Sequence, residues 1–197
     1  SIAICMQVVG IAGIGTIGSG MCRNLLKHNF SLLVYNKTRA KAEAISGARV
    51  VNTPAELRQA DVIITCVSND AALRDILFSA QGIFSKLNSK HILIDCTTTS
   101  VPLTQEITGH CTAKNIPFLD APTTGSKSGA ENGTMLFMYG GDQSVFERCK
   151  PIFEAMGKRF VHCGPNTYGQ RMKIALNVAQ GMVLEGYLEG VALAMKE

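Results

Sequence analysis

The sequence of 197 residues lacks the features that mark membrane proteins and nucleic-acid-binding proteins. No apolar stretch reaches the roughly 20 residues that a membrane-spanning helix needs. Lysine and arginine are scattered and the formal net charge is only +4, whereas nucleic-acid-binding proteins usually carry clustered basic stripes. We therefore expect neither a membrane nor a nucleic acid as a partner. A mild positive excess also suits a small anionic ligand.

The cysteines and histidines lack the spacing of disulfide frameworks and metal sites. The seven cysteines are an odd number, no Cys-x-x-Cys pair occurs, and the four histidines stand far apart. We interpret the thiols as reduced, small apolar side chains, which indicates a cytoplasmic protein, and we expect no metal site. The cysteines occupy positions 5, 22, 66, 96, 111, 149 and 163.

The first residues, "SIAICMQVVGIAG", are apolar but lack the basic segment that opens a secretory signal peptide. They run directly into a glycine motif. This pattern predicts a short leader over residues 1–5, whose role the sequence does not explain, followed by a first strand. Apolar residues make up 46% of the chain and charged residues 17%, enough to build one large domain or one domain and part of a second.

Short, nearly continuous apolar runs alternate with amphipathic segments along most of the chain. Continuous apolar strands are typical of a parallel sheet that helices cover on both faces. The alternation therefore predicts an α/β fold with a doubly wound sheet of βαβ units. The predicted strands are residues 7–12, 31–36, 48–51, 61–67, 91–96, 116–122, 134–141 and 158–164. The predicted helices are residues 16–28, 38–46, 53–59, 69–79, 101–114 and 142–156, and we expect Pro151 to end or kink the last of them.

The chain changes character after Pro165. Residues 166–197 contain no proline and no strand-like run, which predicts one helix of roughly 30 residues, about 45 Å long. So long a helix needs a surface to pack on. We therefore divide the chain into an α/β domain, residues 1–165, and the beginning of an interdomain helix, residues 166–197. We expect this helix to lead into an all-helical second domain that the chain does not contain. Five apolar side chains on that helix predict a homo-oligomer, a symmetric dimer, unless something else covers them: Met182, Leu184, Leu188, Val191 and Leu193.

A glycine motif, Gly13-x-Gly15-x-x-Gly18, follows the first predicted strand and opens a predicted helix. Glycine-rich turns match this motif by chance, but the strand–helix context is typical of a Rossmann-type dinucleotide site. Gly13 would allow the tight turn, Gly15 the approach of a pyrophosphate, and Gly18 the packing of helix on strand. The helix N-terminus would offer N–H groups to the phosphates. The predicted phosphate-binding residues are Gly13, Ile14, Gly15, Thr16, Ile17 and Gly18.

The end of the second predicted strand indicates which dinucleotide binds. NAD enzymes usually carry an acidic residue here for the adenosine ribose, but this chain has Asn36 followed by Lys37, Thr38, Arg39 and, two residues on, Lys41. Basic side chains bind a 2′-phosphate, so the pattern favours NADP, with NAD as the alternative. The other interpretation is a solvated basic helix start.

Five segments in order resemble the β-hydroxyacid dehydrogenase family, which includes 3-hydroxyisobutyrate dehydrogenases and glyoxylate/succinic semialdehyde reductases, and the resemblance covers residues 7–197. The first segment is the glycine motif with the strand after it. The others are "CVSND" (66–70), "DCTTTSVPLT" (95–104), "FLDAPTTGSKSGAENGTM" (118–135) and "GQRMKIALN" (169–177).

The resemblance implies roles for individual residues. Val67, Ser68 and Thr98 would contact the cofactor. Thr124, Gly125 and Ser126 would hold the carboxylate of a small substrate. The family usually has Ser where Thr124 stands, and the 3-hydroxyisobutyrate branch more often has glycine where Ser126 stands, so the loop is more similar to that of the glyoxylate/succinic semialdehyde reductases.

The same resemblance assigns catalysis to Lys173 and Asn177, which lie one helical turn apart on one face. A lysine in an apolar helix can also extend its ammonium group to water without any chemical role. Beside a dinucleotide site, the pattern favours acid–base catalysis: Lys173 would protonate a carbonyl oxygen that receives a hydride, and Asn177 would orient it.

Two other functions share this architecture. One is a scaffold or interaction protein that binds the dinucleotide without catalysis, and the other is an imine reductase. Relatives of both kinds typically lack the lysine, so the presence of Lys173 favours the oxidoreductase of small hydroxy acids.

Overall fold

The computed structural model of the chain describes residues 8–196. The predicted leader, residues 1–5, and Gln7, the first residue of the predicted first strand, lie outside these residues.

Within residues 8–196, nine strands form one sheet in the order β3-β2-β1-β4-β5-β6-β8-β7, with β9 paired to β8. The six strands from β3 to β6 are parallel, whereas β8 runs antiparallel to both β6 and β7. The strands are β1 (Val8–Ala12), β2 (Ser31–Tyr35), β3 (Arg49–Val50), β4 (Val62–Thr65), β5 (Ile92–Asp95), β6 (Phe118–Asp120), β7 (Thr123–Thr124), β8 (Met135–Gly140) and β9 (Gly157–Gly164).

Helices connect these strands and cover the sheet. They are α1 (Thr16–Lys27), α2 (Arg39–Glu43), α3 (Asp70–Phe78), α4 (Val101–Ala113), α5 (Ser126–Asn132), α6 (Gln143–Met156) and α7 (Tyr168–Ala194). Short 3-10 helices span Pro54–Gln59 and Ile83–Ser85. Side-chain oxygens of Asn69, Ser100 and Asp142 accept N–H hydrogen bonds at the starts of α3, α4 and α6, which explains where these helices begin.

The core has two halves, one on each face of the sheet. Neighbouring residues of the central strands point to opposite faces, so Ile64 and Ile94 pack under α1, α5 and α6, while Ile63 and Leu93 pack under α3 and α4. Both faces of these strands are buried, which explains why the strand sequences are apolar without alternation. The predicted α/β fold with a doubly wound sheet is confirmed.

The structure differs from the sequence prediction in three places. Residues 123–132 form β7 and α5, neither of which we predicted, because the segment is polar and glycine-rich. The predicted helix over 53–59 is a 3-10 helix. We expected Pro151 to end or kink the sixth predicted helix; helix α6 does not end there, since burial of the following Ile152 and Phe153 offsets the hydrogen bond that proline removes, and a kink stays a prediction.

Helix α7 has 27 residues, and only its first turns pack on the sheet. Gly169, Gln170 and Lys173 are buried, whereas the rest of the helix is largely exposed. The five apolar side chains that predicted self-association are between 39% and 69% exposed in the single chain. No helix among residues 8–196 combines the length and hydropathy needed to cross a bilayer.

Candidate functional site

A cavity of about 590 Å³ opens at the carboxyl ends of β1, β2 and β4. Ligands of doubly wound folds bind at this edge of the sheet. Its walls come from the loop after β1, the turn after β2, the loop after β4 and the first turns of α1 and α3. The lining residues are Gly13, Gly15, Thr16, Ile17, Gly18, Tyr35, Asn36, Lys37, Thr38, Lys41, Cys66, Val67, Ser68, Ala71, Ala72, Asp75 and Ile76.

The three glycines of the motif differ in what a side chain at each position would meet. Gly13 has φ +104°, and a Cβ atom there would lie 2.1 Å from the Cys66 carbonyl oxygen. A Cβ at Gly18 would lie 2.0 Å from the Gly13 carbonyl oxygen, so α1 can start against β1 only with glycine at this position. A Cβ at Gly15 would meet nothing within 4 Å. This open space lies beside the first turn of α1, whose N–H groups have no partner within the helix, and therefore suits a pyrophosphate.

Asn36 connects the glycine loop to the end of β2. Its Oδ1 accepts a hydrogen bond from the Ile14 N–H (2.8 Å), and its Nδ2 donates to the Thr38 carbonyl (2.9 Å). Ile14 itself is buried and does not line the cavity. Its N–H holds the glycine loop to Asn36, and its side chain packs in the hydrophobic core. Sequence reasoning placed both residues at the site and missed that they bond to each other.

The basic turn after β2 divides into two parts. Lys37, Thr38 and Lys41 line the cavity. Arg39 does not, because its guanidinium group pairs with Glu43 Oε1 and donates to Asn52 Oδ1, each at 2.7 Å. The cavity therefore offers two ammonium groups to an anion at this end.

One carboxylate stands among these lining residues. Asp75 Oδ2 lies 3.8 Å from Lys37 Nζ, and both side chains are largely exposed. Sequence reasoning missed Asp75, since nothing in the pattern of α3 distinguishes it from an ordinary surface residue.

The loops after β4 and β5 lie side by side at the same edge. Val67 and Ser68 line the cavity, and the Val67 N–H donates to Thr97 Oγ1 at 3.1 Å. Thr98 is exposed in the next loop and does not line the cavity. Its predicted contact with a cofactor therefore remains a prediction.

Lys173 is only 8% exposed in the second turn of α7. Burial lowers the pKa of its ammonium group, because the charged form loses hydration. Within the described residues, the ammonium group has neither a hydrogen-bond partner nor an ion-pair partner. The ammonium nitrogen is not among the fully buried polar atoms that lack a partner, so the charged end of this largely buried side chain reaches the accessible surface, where a substrate could meet it. Asn177 lies exposed one turn further along the helix.

The predicted substrate loop forms the link from β7 to α5. Thr124 pairs with Leu136 of β8, and Gly125 and Ser126 are exposed at the start of α5. Gly125 has φ +143° and Ser126 has φ +56°, so a serine occupies a backbone conformation that favours glycine. This backbone conformation would suit the glycine that the resemblance implies at this position in the 3-hydroxyisobutyrate branch.

Two buried side chains that we did not predict join the strand ends to α7. Asp120, at the end of β6, accepts hydrogen bonds from the N–H groups of Thr167 (2.8 Å) and Gln170 (3.0 Å). The Gln170 side chain bonds to the loop after β5. A visible signal for Asp120 was an aspartate closing the apolar segment "IPFLD".

Comparison with protein families identifies this architecture. The NAD binding domain of 6-phosphogluconate dehydrogenase matches residues 8–164. The chain belongs to this family. A probable 3-hydroxyisobutyrate dehydrogenase from Dictyostelium discoideum is 31% identical over 97% of the chain and 60% of its own length. The glyoxylate/succinic semialdehyde reductase 1 of Arabidopsis thaliana is 31% identical over 95% of the chain and 66% of its own length. The resemblance to the β-hydroxyacid dehydrogenases is thus confirmed.

Further relatives show what share of each protein the likeness covers. The 3-hydroxyisobutyrate dehydrogenase of Mycobacterium tuberculosis is 27% identical and superposes with a TM-score of 0.85 over 97% of this chain and 66% of its own. The chain spans about two thirds of the length of the first curated relatives it matches. The cytokine-like nuclear factor N-PAC of Danio rerio is 33% identical over 94% of the chain and 41% of its own length.

From the buried carboxyl group of Asp95 we predict that the free energy of unfolding depends on pH. Asp95 Oδ1 accepts hydrogen bonds from Thr65 Oγ1 (2.8 Å) and the Thr97 N–H (3.0 Å), whereas Oδ2 is buried without a partner in the described residues. Burial raises the pKa of Asp95 to about 7. The unfolded value is about 3.9, so between about pH 4 and pH 7 the folded protein holds a proton that the unfolded chain has released.

The contribution of Asp95 to stability should therefore fall as the pH rises from 4 to 7, by roughly 4 kcal/mol at most. Asp95→Asn keeps an oxygen acceptor and carries no charge, so it should stabilise the protein more at pH 8 than at pH 5. Denaturant unfolding of both proteins at the two pH values measures the difference. The exposed Asp75→Asn serves as the control, and an equal effect of Asp95→Asn at pH 5 and pH 8 would contradict the assignment.

Proposed function

We propose that the chain is the cofactor-binding part of an NADP(H)-dependent oxidoreductase that interconverts a small aldehyde or keto acid and its hydroxy acid. The names of the 3-hydroxyisobutyrate dehydrogenase and glyoxylate/succinic semialdehyde reductase relatives support this class of substrate. The observation that carries the proposal is Lys173 on helix α7: its side chain is largely buried, and its ammonium group has no hydrogen-bond or ion-pair partner among residues 8–196. This lysine occurs in a chain that also has a cavity of the dinucleotide-binding type.

The cavity suits a dinucleotide because Gly15 leaves open space beside the N-terminus of α1 and because Lys37 and Lys41 lie at its far end. A nicotinamide dinucleotide bound there supplies the hydride. Hydride transfer leaves negative charge on the substrate oxygen, and the ammonium group of Lys173 stabilises that charge and donates the proton. In the reverse direction the neutral amine accepts the hydroxyl proton, which the lowered pKa of Lys173 favours. Asn177 orients the lysine and the substrate, and Thr124, Gly125 and Ser126 hold the carboxylate.

A substrate panel tests the class of reaction. The full-length enzyme, of which this chain is proposed to be the cofactor-binding part, should oxidise NADPH in the presence of glyoxylate, succinic semialdehyde or a related small oxo acid, and should not reduce cyclic imines. Cofactor binding without turnover on any carbonyl compound would instead favour a scaffold function, the alternative to which the nuclear-factor relative lends support.

Cofactor preference is a separate prediction. NADPH should bind at least tenfold more tightly than NADH, a difference of about 1.4 kcal/mol in binding free energy. The reason is that Lys37 and Lys41 line the cavity, while the residue after β2 is Asn36 and not an acidic residue. The Lys37→Ala/Lys41→Ala variant should lose most of this difference, as measured by fluorescence titration with both cofactors. Arg39→Ala is the matched control, since its guanidinium group is bonded to Glu43 and Asn52. Equal affinities of the unmodified protein for NADPH and NADH would end the proposal of NADP preference.

Self-association is also proposed. The exposed apolar side chains of α7 would be covered by a second copy of the chain in a symmetric dimer. Sedimentation of residues 1–197 at tens of micromolar should show the dimer mass, and Leu184→Glu with Leu188→Glu should return it to a monomer. A monomeric unmodified chain would contradict the proposal.

We also propose a cytoplasmic location, which the free thiols of the six cysteines within residues 8–196 support.

A further inference from the structure

Gln170 is a fully buried polar residue in the first turn of α7 that the proposed chemistry does not use. Its Nε2 donates to the Thr97 carbonyl at 2.6 Å, and its Oε1 accepts from the Thr99 N–H at 3.1 Å. The two bonds engage the backbone on both sides of Thr98. A side-chain amide that pairs both its donor and its acceptor with one loop holds that loop at a fixed distance and orientation.

The loop that Gln170 holds is itself tied to the cavity. Every polar group of Thr97 is bonded: its N–H to Asp95 Oδ1, its Oγ1 to the Val67 N–H and its carbonyl to Gln170. Val67 lines the cavity. A continuous chain of hydrogen bonds therefore runs from the cavity wall, through Thr97, to the first turn of α7.

Lys173 follows Gln170, the last member of this hydrogen-bond chain, by about one turn of α7. Residues 170 and 173 are three apart, so they share a face of α7, and both are buried. The ammonium group of Lys173 has no partner of its own among residues 8–196. Its position depends on its rotamer and on where α7 is fixed. The carboxylate of Asp120 holds the start of α7 by accepting hydrogen bonds from backbone N–H groups of the helix. The side chain of Gln170, in contrast, ties the helix to the loop after β5.

We propose that Gln170 is a positioning residue that sets the distance between Lys173 and the dinucleotide cavity by holding the backbone around Thr98. The inference rests on the proposed function, because it assigns Gln170 a role in the step that Lys173 performs. A misplacement of a catalytic group by about 1 Å can cost 10²-fold in rate, so the loss of both Gln170 hydrogen bonds should be visible in kcat.

The test uses the full-length enzyme with three single variants, described next, and with Gln170→Met combined with Lys173→Met. Gln170→Met keeps the length of the side chain and removes both hydrogen bonds. Gln170→Glu keeps the acceptor for the Thr99 N–H and can donate to the Thr97 carbonyl only when its carboxyl group is protonated. Gln105→Met is the matched control, since Gln105 is exposed on α4.

For Gln170→Met we expect kcat to fall at least tenfold while KM for NADPH changes less than threefold. For Gln170→Glu we expect a smaller deficit at pH 5.5 than at pH 8, a pH dependence that the Met variant lacks. In the Lys173→Met background, Gln170→Met should lower the residual turnover by less than twofold, since a residue that acts through Lys173 has nothing left to position. Gln105→Met should leave all values unchanged.

Hydrogen exchange separates this inference from the proposed function. The Thr99 amide should exchange at least tenfold faster in Gln170→Met and at the unmodified rate in Lys173→Met. An unchanged kcat in Gln170→Met, or the full tenfold loss again in the Lys173→Met background, overturns the positioning role. An unchanged turnover in Lys173→Met overturns the proposed function instead, and the exchange result then still reports whether Gln170 holds the loop.

Discussion

Replacing Lys173 by methionine should lower turnover of the complete enzyme at least 10²-fold, the lower range for loss of a positioned acid–base group. NADPH binding should be retained, because Lys173 does not line the cavity. The melting temperature should stay the same or rise, since methionine fills a similar volume in this largely buried place and removes a charge that has no partner among residues 8–196. Steady-state kinetics, cofactor titration and thermal unfolding measure the three quantities.

Two further variants make this result specific. Asn177→Ala should cost less activity than Lys173→Met, because it removes an orienting group and leaves the proton donor. Lys158→Met changes an exposed lysine of β9 and should leave activity and stability unchanged. If Lys173→Met unfolds the protein, or if turnover persists, Lys173 is a structural or solvent-reaching lysine and the proposed mechanism fails.

Gly18→Ala should destabilise the fold by roughly 3 kcal/mol, the upper end of ordinary overpacking effects. The added methyl group would lie 2.0 Å from the Gly13 carbonyl oxygen, so either α1 or the end of β1 has to move. Because α1 packs in the core under the sheet, such a movement disturbs more than the loop. Chemical denaturation of the variant and of the unmodified protein measures the loss.

Gly15→Ala is the matched comparison within the same motif. Its methyl group meets no atom within 4 Å, and Gly15 has φ −85°, which alanine adopts freely. Stability should therefore be unchanged, while NADPH affinity should fall at least tenfold because the methyl group enters the space that suits the pyrophosphate. A stable Gly18→Ala protein, or a Gly15→Ala protein with normal affinity, would show that the two glycines do not divide their roles in this way.

The parts of the candidate site that are formed by residues close together in sequence could be predicted from the sequence. The glycine motif follows a strand and opens a helix, so its place at the sheet edge follows from local order, and Gly13, Gly15 and Gly18 do line the cavity. The basic turn after β2 was predicted for the same reason. Arg39 shows the limit of such reasoning, since its partners Glu43 and Asn52 decide that it turns away from the cavity.

Residues that act across the fold were missed or only partly understood. Gln170 and Thr97 are 73 positions apart, and Asp120 and Thr167 are 47 apart. No local pattern announces such pairs, because hydrogen-bond partners at long range are set by how the strands are ordered in the sheet. The segment that forms β7 and α5 was missed because its polar, glycine-rich sequence carries no hydrophobic period.

The sequence by itself determined the fold class, the dinucleotide motif and the long final helix, because each follows from hydrophobic periodicity and from backbone freedom over a few neighbouring residues. Only the tertiary structure decided that α7 begins against the loop after β5 and that Lys173 is largely buried there with no partner among residues 8–196. It also decided that Lys37 and Lys41 line the cavity while Arg39 pairs elsewhere. The physical reason is that burial and pairing depend on which distant segments the sheet brings together, and a side chain's own neighbours in sequence do not contain that information.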